Sequence, residues 1–141
     1  MRAAYNETWD RRDFDAGAAL MSDDGEVILA GTGQTFRGPE GAKEYSRIWA
    51  EGFPDGRITI DRVIEAGETV TVEAHGDGTH TGTLRSAMGE IPATGKTVHL
   101  EFCDVHDIRS GKIARTRTYI DSGSLMAQLG LMPEPSQTAH A

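Results

Sequence analysis

Apolar and polar side chains alternate most strongly between residues 97 and 121. TVHLEFCDVHDI and KIARTRTYI have a period of two and flank a tight turn at Gly111, which predicts a long β-hairpin. One face of its first strand carries Val98, Leu100, Phe102, Asp104, His106 and Ile108. A carboxylate and an imidazole among apolar neighbours suit the wall of a ligand cavity better than a solid core, because a buried charge without a partner is costly. Two more alternating runs, 57–65 and 69–81, are joined at Ala66-Gly67-Glu68 and predict a second hairpin. EVILA at 26–30 predicts a short strand. Segments 31–38 and 84–95 lack a clear period and are expected to be loops, the second on a rim.

Helical spacing appears in three places before the second hairpin. Tyr5 and Trp9 lie four apart in an expected helix over 2–12. Phe14, Ala18 and Met21 share a face of a short second helix, with Asp13 or Asp15 as its cap and Asp23-Asp24-Gly25 as its end. Ala42, Tyr45, Trp49 and Phe53 follow Pro39 in a third helix that stops at Pro54-Asp55-Gly56. A last short helix starts after Asp121 and ends at Gly130 and Pro133. Helices first and a strand meander after give an α+β fold with an antiparallel sheet, since parallel strands would each need a crossover. Gly76, Gly78 and Gly82 permit strong curvature, so the sheet should wrap the helices and enclose a cavity. Residues 1–133 are expected to form one domain, and 134–141 a mobile tail with nothing to bury.

Composition narrows the partners. Fourteen basic against 22 acidic residues give a net charge of -8, which disfavours nucleic acid. A single cysteine, Cys103, excludes an internal disulfide and fits a cytoplasmic location. No 18-residue apolar run and no leader pattern occur, so no membrane association is expected. His75, His80, His99 and His106 show no i, i+4 spacing and differ in strand parity, so no metal site is expected. No Gly-x-Ser-x-Gly element or complete nucleotide-binding glycine motif is present, and no cofactor is expected.

Phe36-Arg37-Gly38-Pro39-Glu40-Gly41, Phe53-Pro54-Asp55, Gly78-Thr79-His80-Thr81-Gly82, Ile91-Pro92-Ala93-Thr94-Gly95-Lys96, Gly111-Lys112-Ile113 and Gln128-Leu129-Gly130 occur in an order and spacing that resemble the SnoaL-like polyketide cyclases and ester cyclases of the NTF2-like superfamily. The resemblance implies a cone-shaped α+β fold, a homodimer, and cofactor-free acid–base chemistry on a hydrophobic carbonyl compound. It also places Thr118 where the family's cyclases carry an acid, matches His80 to the histidine of the Gly-x-His-x-Gly segment, and puts Phe102 and Asp104 at pocket positions.

Closing a ring by aldol chemistry requires one base in a pocket that excludes water. Asp104 is the first candidate, with pairing to Arg115 or Arg117 as its structural alternative. His80 and Thr118 are candidate hydrogen-bond donors, and His106 shares the parity of Asp104, although a histidine near a hairpin end is more often solvated. Tyr5, Trp9, Trp49, Phe53 and Phe102 are expected as substrate-binding walls, and Tyr119 and Asp121 as further ligand contacts, with helix capping the alternative for Asp121. Two other functions stay open: an epoxide hydrolase that uses Asp104 with an arginine and a second acid, and a non-catalytic binding or dimerisation module.

Overall fold

The computed structural model describes residues 1–87 and 89–132. The expected mobile tail at 134–141 lies outside the described residues. Helix α1 (Arg2–Tyr5) runs into a π turn (Asn6–Asp10), and α2 (Phe14–Ala18) follows, capped by Asp13 Oδ1, which accepts from Ala16 N at 3.0 Å. Strands β1 (Met21–Leu29) and β2 (Thr35–Arg37) precede the 15-residue helix α3 (Gly38–Gly52). Next come β3 (Arg57–Ala66), β4 (Thr69–Thr79), β5 (Leu84–Ser86), β6 (Gly89–Ile91), β7 (Thr97–Arg109), β8 (Lys112–Ile120) and α4 (Ser122–Gln128).

The main sheet has the order β2-β1-β8-β7-β4-β3. Its expected core is the meander β3-β4-β7-β8, in which β4 and β7 pair from Thr69↔Asp107 to Thr79↔Thr97. The turn between β7 and β8 uses Ser110 and Gly111, both left-handed at φ 53° and 77°, the backbone that matches the twist of a two-residue hairpin.

Three local expectations are corrected. The segment 31–38 is not all loop, because Thr35–Arg37 forms β2 against β1. The segment 84–95 contains a small hairpin, β5 with β6, in register from Leu84↔Ile91 to Ser86↔Gly89. Finally, Asp23-Asp24-Gly25 does not end a helix: it bulges out of β1, where the register shifts between Met21 and Glu26, and Met21 is already a strand residue. β1 also pairs in parallel with β8, from Met21↔Ile113 to Leu29↔Thr118, so the sheet is mixed rather than wholly antiparallel.

Two hydrophobic clusters hold the helices in the curve of the sheet. Phe53, Leu84, Val98, Leu100, Leu125 and Leu129 form one, and Met21, Val27 and Phe36 the other. Helix α3 bridges them: Ile48 packs against both, Trp49 against the first and Tyr45 against the second. α4 packs Leu125 into the first cluster and is capped by Asp121 Oδ1, which accepts from Ser124 N at 3.0 Å. Among the described residues, no helix is long and apolar enough to cross a membrane.

Gly82 marks where the chain passes closest to the end of α3. A Cβ there would lie 1.9 Å from the Glu51 carbonyl oxygen, which is backbone and cannot swing aside. Gly82→Ala should therefore destabilise the fold by about 1–3 kcal/mol, read as a lower urea midpoint at an unchanged slope; an unshifted midpoint would contradict the packing.

Candidate functional site

The concave face of the sheet and α3 enclose a cavity of about 120 Å³. Its walls include Trp9 from the N-terminal π turn, Tyr45, Trp49 and Phe53 from α3 and its C-terminal end, Val98, Leu100 and Phe102 from β7, and Ile120 from β8. Gly76 and Gly78 face it from β4, where side chains would consume the space; a Cβ on Gly78 would lie 3.1 Å from the Phe53 Cβ. The N-terminal wall is fastened by Arg12, whose guanidinium stacks on Trp9 at 5.3 Å and donates to Pro54 O and Gly56 O at 3.0 and 2.7 Å.

Into this apolar space project Asp104 and Thr118, directly opposite one another on β7 and β8. Both are buried, at 8% and 3% exposure. The Tyr5 hydroxyl donates to Asp104 Oδ2 at 2.5 Å and lies 2.9 Å from His106 Nε2, while His106 Nδ1 lies 2.8 Å from Thr116 Oγ1. Tyr5 has one proton and gives it to the carboxylate, so His106 must donate through Nε2–H and accept from the Thr116 hydroxyl at Nδ1. The result is a directed chain, Thr116 to His106 to Tyr5 to Asp104.

Burial sets the protonation of each member. Desolvation pushes the Asp104 carboxyl up to about 6, although the Tyr5 hydrogen bond and, less strongly, nearby Thr118 pull it down. Desolvation likewise drives His106 down to about 4, so its ring is neutral at neutral pH, as the chain requires. Tyr5 is held far above the ordinary phenol range by burial and by the Asp104 charge, and remains a donor. Half-buried Tyr45 is raised by the same two causes, desolvation and the Asp104 charge.

Asp104 Oδ1 is buried and has no hydrogen-bond partner. Thr118 is near enough to influence the charge but makes no well-formed bond to this oxygen. A carboxylate with one oxygen fixed and the other free in an apolar cavity can accept a proton or a hydrogen bond from a bound molecule.

The expected walls Tyr5, Trp9, Trp49, Phe53 and Phe102 all line the cavity, as do Asp104 and Thr118. The remaining candidates fall elsewhere. Tyr119 is 46% exposed because its odd parity on β8 sends it to the convex face. Asp121 is exposed and caps α4. His80 is fully buried off the cavity, where Nδ1 accepts from Thr94 N at 3.2 Å and its backbone pairs with Lys96 and Gly95, stitching the end of β4 to the following segment. His106 is not solvated and does not line the cavity; it acts on Asp104 through Tyr5.

Arg115 and Arg117 are exposed on the opposite face, with Arg115 paired to Asp107, so neither reaches Asp104. This removes the arginines on which an epoxide hydrolase would have relied. The histidines are also less scattered than their spacing implied, since His75 and His99 meet on the convex face beside Asp77. The hydroxyls of Tyr5, Tyr45 and Thr116 are polar parts of the site that sequence patterning did not single out. Thr116 shares the parity of Thr118, which is a usable signal; the tyrosines gave only helical spacing.

Residues 1–129 match the SnoaL-like polyketide cyclase family. The chain belongs to that family. No curated protein matches it in sequence. Among solved structures it resembles a Jannaschia sp. CCS1 protein described as SnoaL-like polyketide cyclase (19% identity, TM-score 0.77, covering 94% of this chain and 92% of the other). A Catenulispora acidiphila protein with a ketosteroid isomerase-like fold, in complex with trimethylamine, is similar at 21% identity and TM-score 0.76, covering 96% and 95%. The phenazine biosynthesis-related protein PhzB2 from Pseudomonas aeruginosa is similar at 21% identity and TM-score 0.69, covering 96% and 92%. These likenesses establish the NTF2-like cone.

Proposed function

We propose that this SnoaL-like protein is a cofactor-free cyclase or isomerase that moves a proton on a hydrophobic carbonyl compound bound in the cavity. The free Oδ1 of Asp104 carries this reading. With its carboxyl near 6, Asp104 is ionised at neutral pH yet basic enough to remove a proton from a carbon flanked by carbonyl groups. The enolate oxygen then needs a donor, and Thr118 and the Tyr45 hydroxyl face the same space. Once protonated, Asp104 can return the proton to the product, so no cofactor is required. By the family resemblance Thr118 stands where the cyclases carry an acid, and in this reading Asp104, its partner across the hairpin, supplies the proton transfer instead.

Deuterium exchange tests this without knowledge of the natural substrate. Aromatic 1,3-dicarbonyl compounds and their methyl esters, incubated with the protein in D₂O, should gain deuterium at the central carbon faster than in buffer, and Asp104→Asn should abolish the gain. Stabilisation of the fold by these compounds with no exchange would favour a binding module instead.

Tyr5 supplies a second test. Tyr5→Phe removes the hydrogen bond that holds the Asp104 carboxyl down, so the acid limb of kcat/KM should move upward from about pH 6. A variant whose limb stays in place would show that Tyr5 only packs.

A further inference from the structure

The convex face of the sheet, turned away from the cavity, brings together side chains that the proposed reaction does not use. Asp77 on β4 is directly opposite His99 on β7, and His75 stands two residues before Asp77 on the same face. His99 Nδ1 is 2.7 Å from Asp77 Oδ1, His75 Nε2 is 3.7 Å from Asp77 Oδ2, and the two imidazole rings are 4.9 Å apart. One ligand atom from each residue falls within 4.8 Å of the others. A tetrahedral zinc ion with bonds of 2.0–2.1 Å keeps its ligand atoms about 3.3 Å apart. The separations of 2.7 and 3.7 Å, to different oxygens of Asp77, fall on either side of that spacing, and the three ligand atoms all lie within 4.8 Å of one another, so rotations of these surface side chains would close the site.

A fourth residue prepares it. Asp61, on the neighbouring strand β3, lies 2.8 Å from His75 Nδ1. By accepting Nδ1–H it fixes the tautomer in which Nε2 presents a lone pair toward Asp77 and His99. A carboxylate behind a histidine is the usual outer partner of a metal-bound imidazole. Two imidazoles and one carboxylate favour zinc and its late transition-metal neighbours over magnesium or calcium, which take oxygen ligands.

We propose that His75, Asp77 and His99 form a divalent transition-metal site on the convex face, with Asp61 as the positioning residue for His75. The ligands are part-exposed, at 23%, 54% and 55% of their side chains, which leaves the fourth position to water. The ion would tie β4 to β7 across the outer side of the sheet.

Titration of the untagged full-length protein with zinc sulfate, followed by calorimetry, tests the site. One Zn²⁺ should bind per chain and raise the melting temperature. His75→Ala/His99→Ala should lose both effects, and Asp61→Asn should weaken binding by about tenfold. Substituting Co²⁺ should give the visible absorption of a tetrahedral imidazole site in the wild type and none in the double variant. These side chains lie on the surface, so the variants should fold, and the melting curve without metal checks this. No zinc binding by the wild type, or equal binding by the double variant, would overturn the proposal.

Discussion

Asp104→Asn should lower turnover by about 10²–10⁴-fold, the usual contribution of a positioned general base. Asparagine keeps the shape of the side chain and can still accept the Tyr5 proton, so the walls built by Trp9, Trp49, Phe53 and Phe102 should be unaltered and ligand affinity should change little. The loss should appear in kcat with KM nearly unchanged, because the missing interaction belongs to the transition state. A variant that keeps wild-type turnover would remove Asp104 from the chemistry.

The residues behind that expectation are unevenly visible in the sequence. Alternation along β7 places Asp104 and His106 on one face with Val98 and Leu100, and all four are buried. Helical spacing in α3 places Tyr45, Trp49 and Phe53 on a shared wall, and Asp121 read as a cap is a cap. What escapes is non-local. The parallel pairing of β1 with β8 joins segments with no turn between them, and nothing in local periodicity encodes it. The Tyr5 hydroxyl meets Asp104 from 99 residues away, so its helical spacing identifies a wall but not a donor. Tyr119 does not line the cavity because the twist at the strand end does not turn it inward. The convex-face histidines are discounted by spacing within each strand, whereas their proximity comes from the register between strands.

The second large effect is on stability, and its sign follows from two buried groups that oppose each other. Between about pH 4 and 6 the folded chain keeps a proton on Asp104 that the unfolded chain, titrating near 3.8, has released. Stability therefore falls as pH rises through that window. Above it the ionised carboxylate costs about 3 kcal/mol, since each tenfold difference in proton affinity between folded and unfolded chain is worth about 1.4 kcal/mol. His106 runs the other way: between about pH 4 and the ordinary 6.5, the unfolded chain holds a proton that the buried ring excludes, so stability rises with pH by about 3 kcal/mol. In the wild type the two slopes largely cancel.

Asp104→Asn removes the first slope and spares the second, because the causes that lower His106 are its burial and the N-terminal charge rather than Asp104. The variant should be no more stable than the wild type near pH 4 and about 1–3 kcal/mol more stable at pH 7, the lower end applying if its amide nitrogen inherits the missing partner of Oδ1. Urea midpoints measured for both proteins from pH 4 to 7 read the difference directly. Curves that stay parallel would show that Asp104 is not desolvated in the folded chain.

The most direct examination of the site is a ¹³C NMR titration of the aspartate carboxyl carbons, with the Asp104 signal assigned by its loss in Asp104→Asn. A midpoint near pH 6 is the predicted result. A midpoint at or below about 4, the value of a carboxyl in free contact with water, would contradict the account.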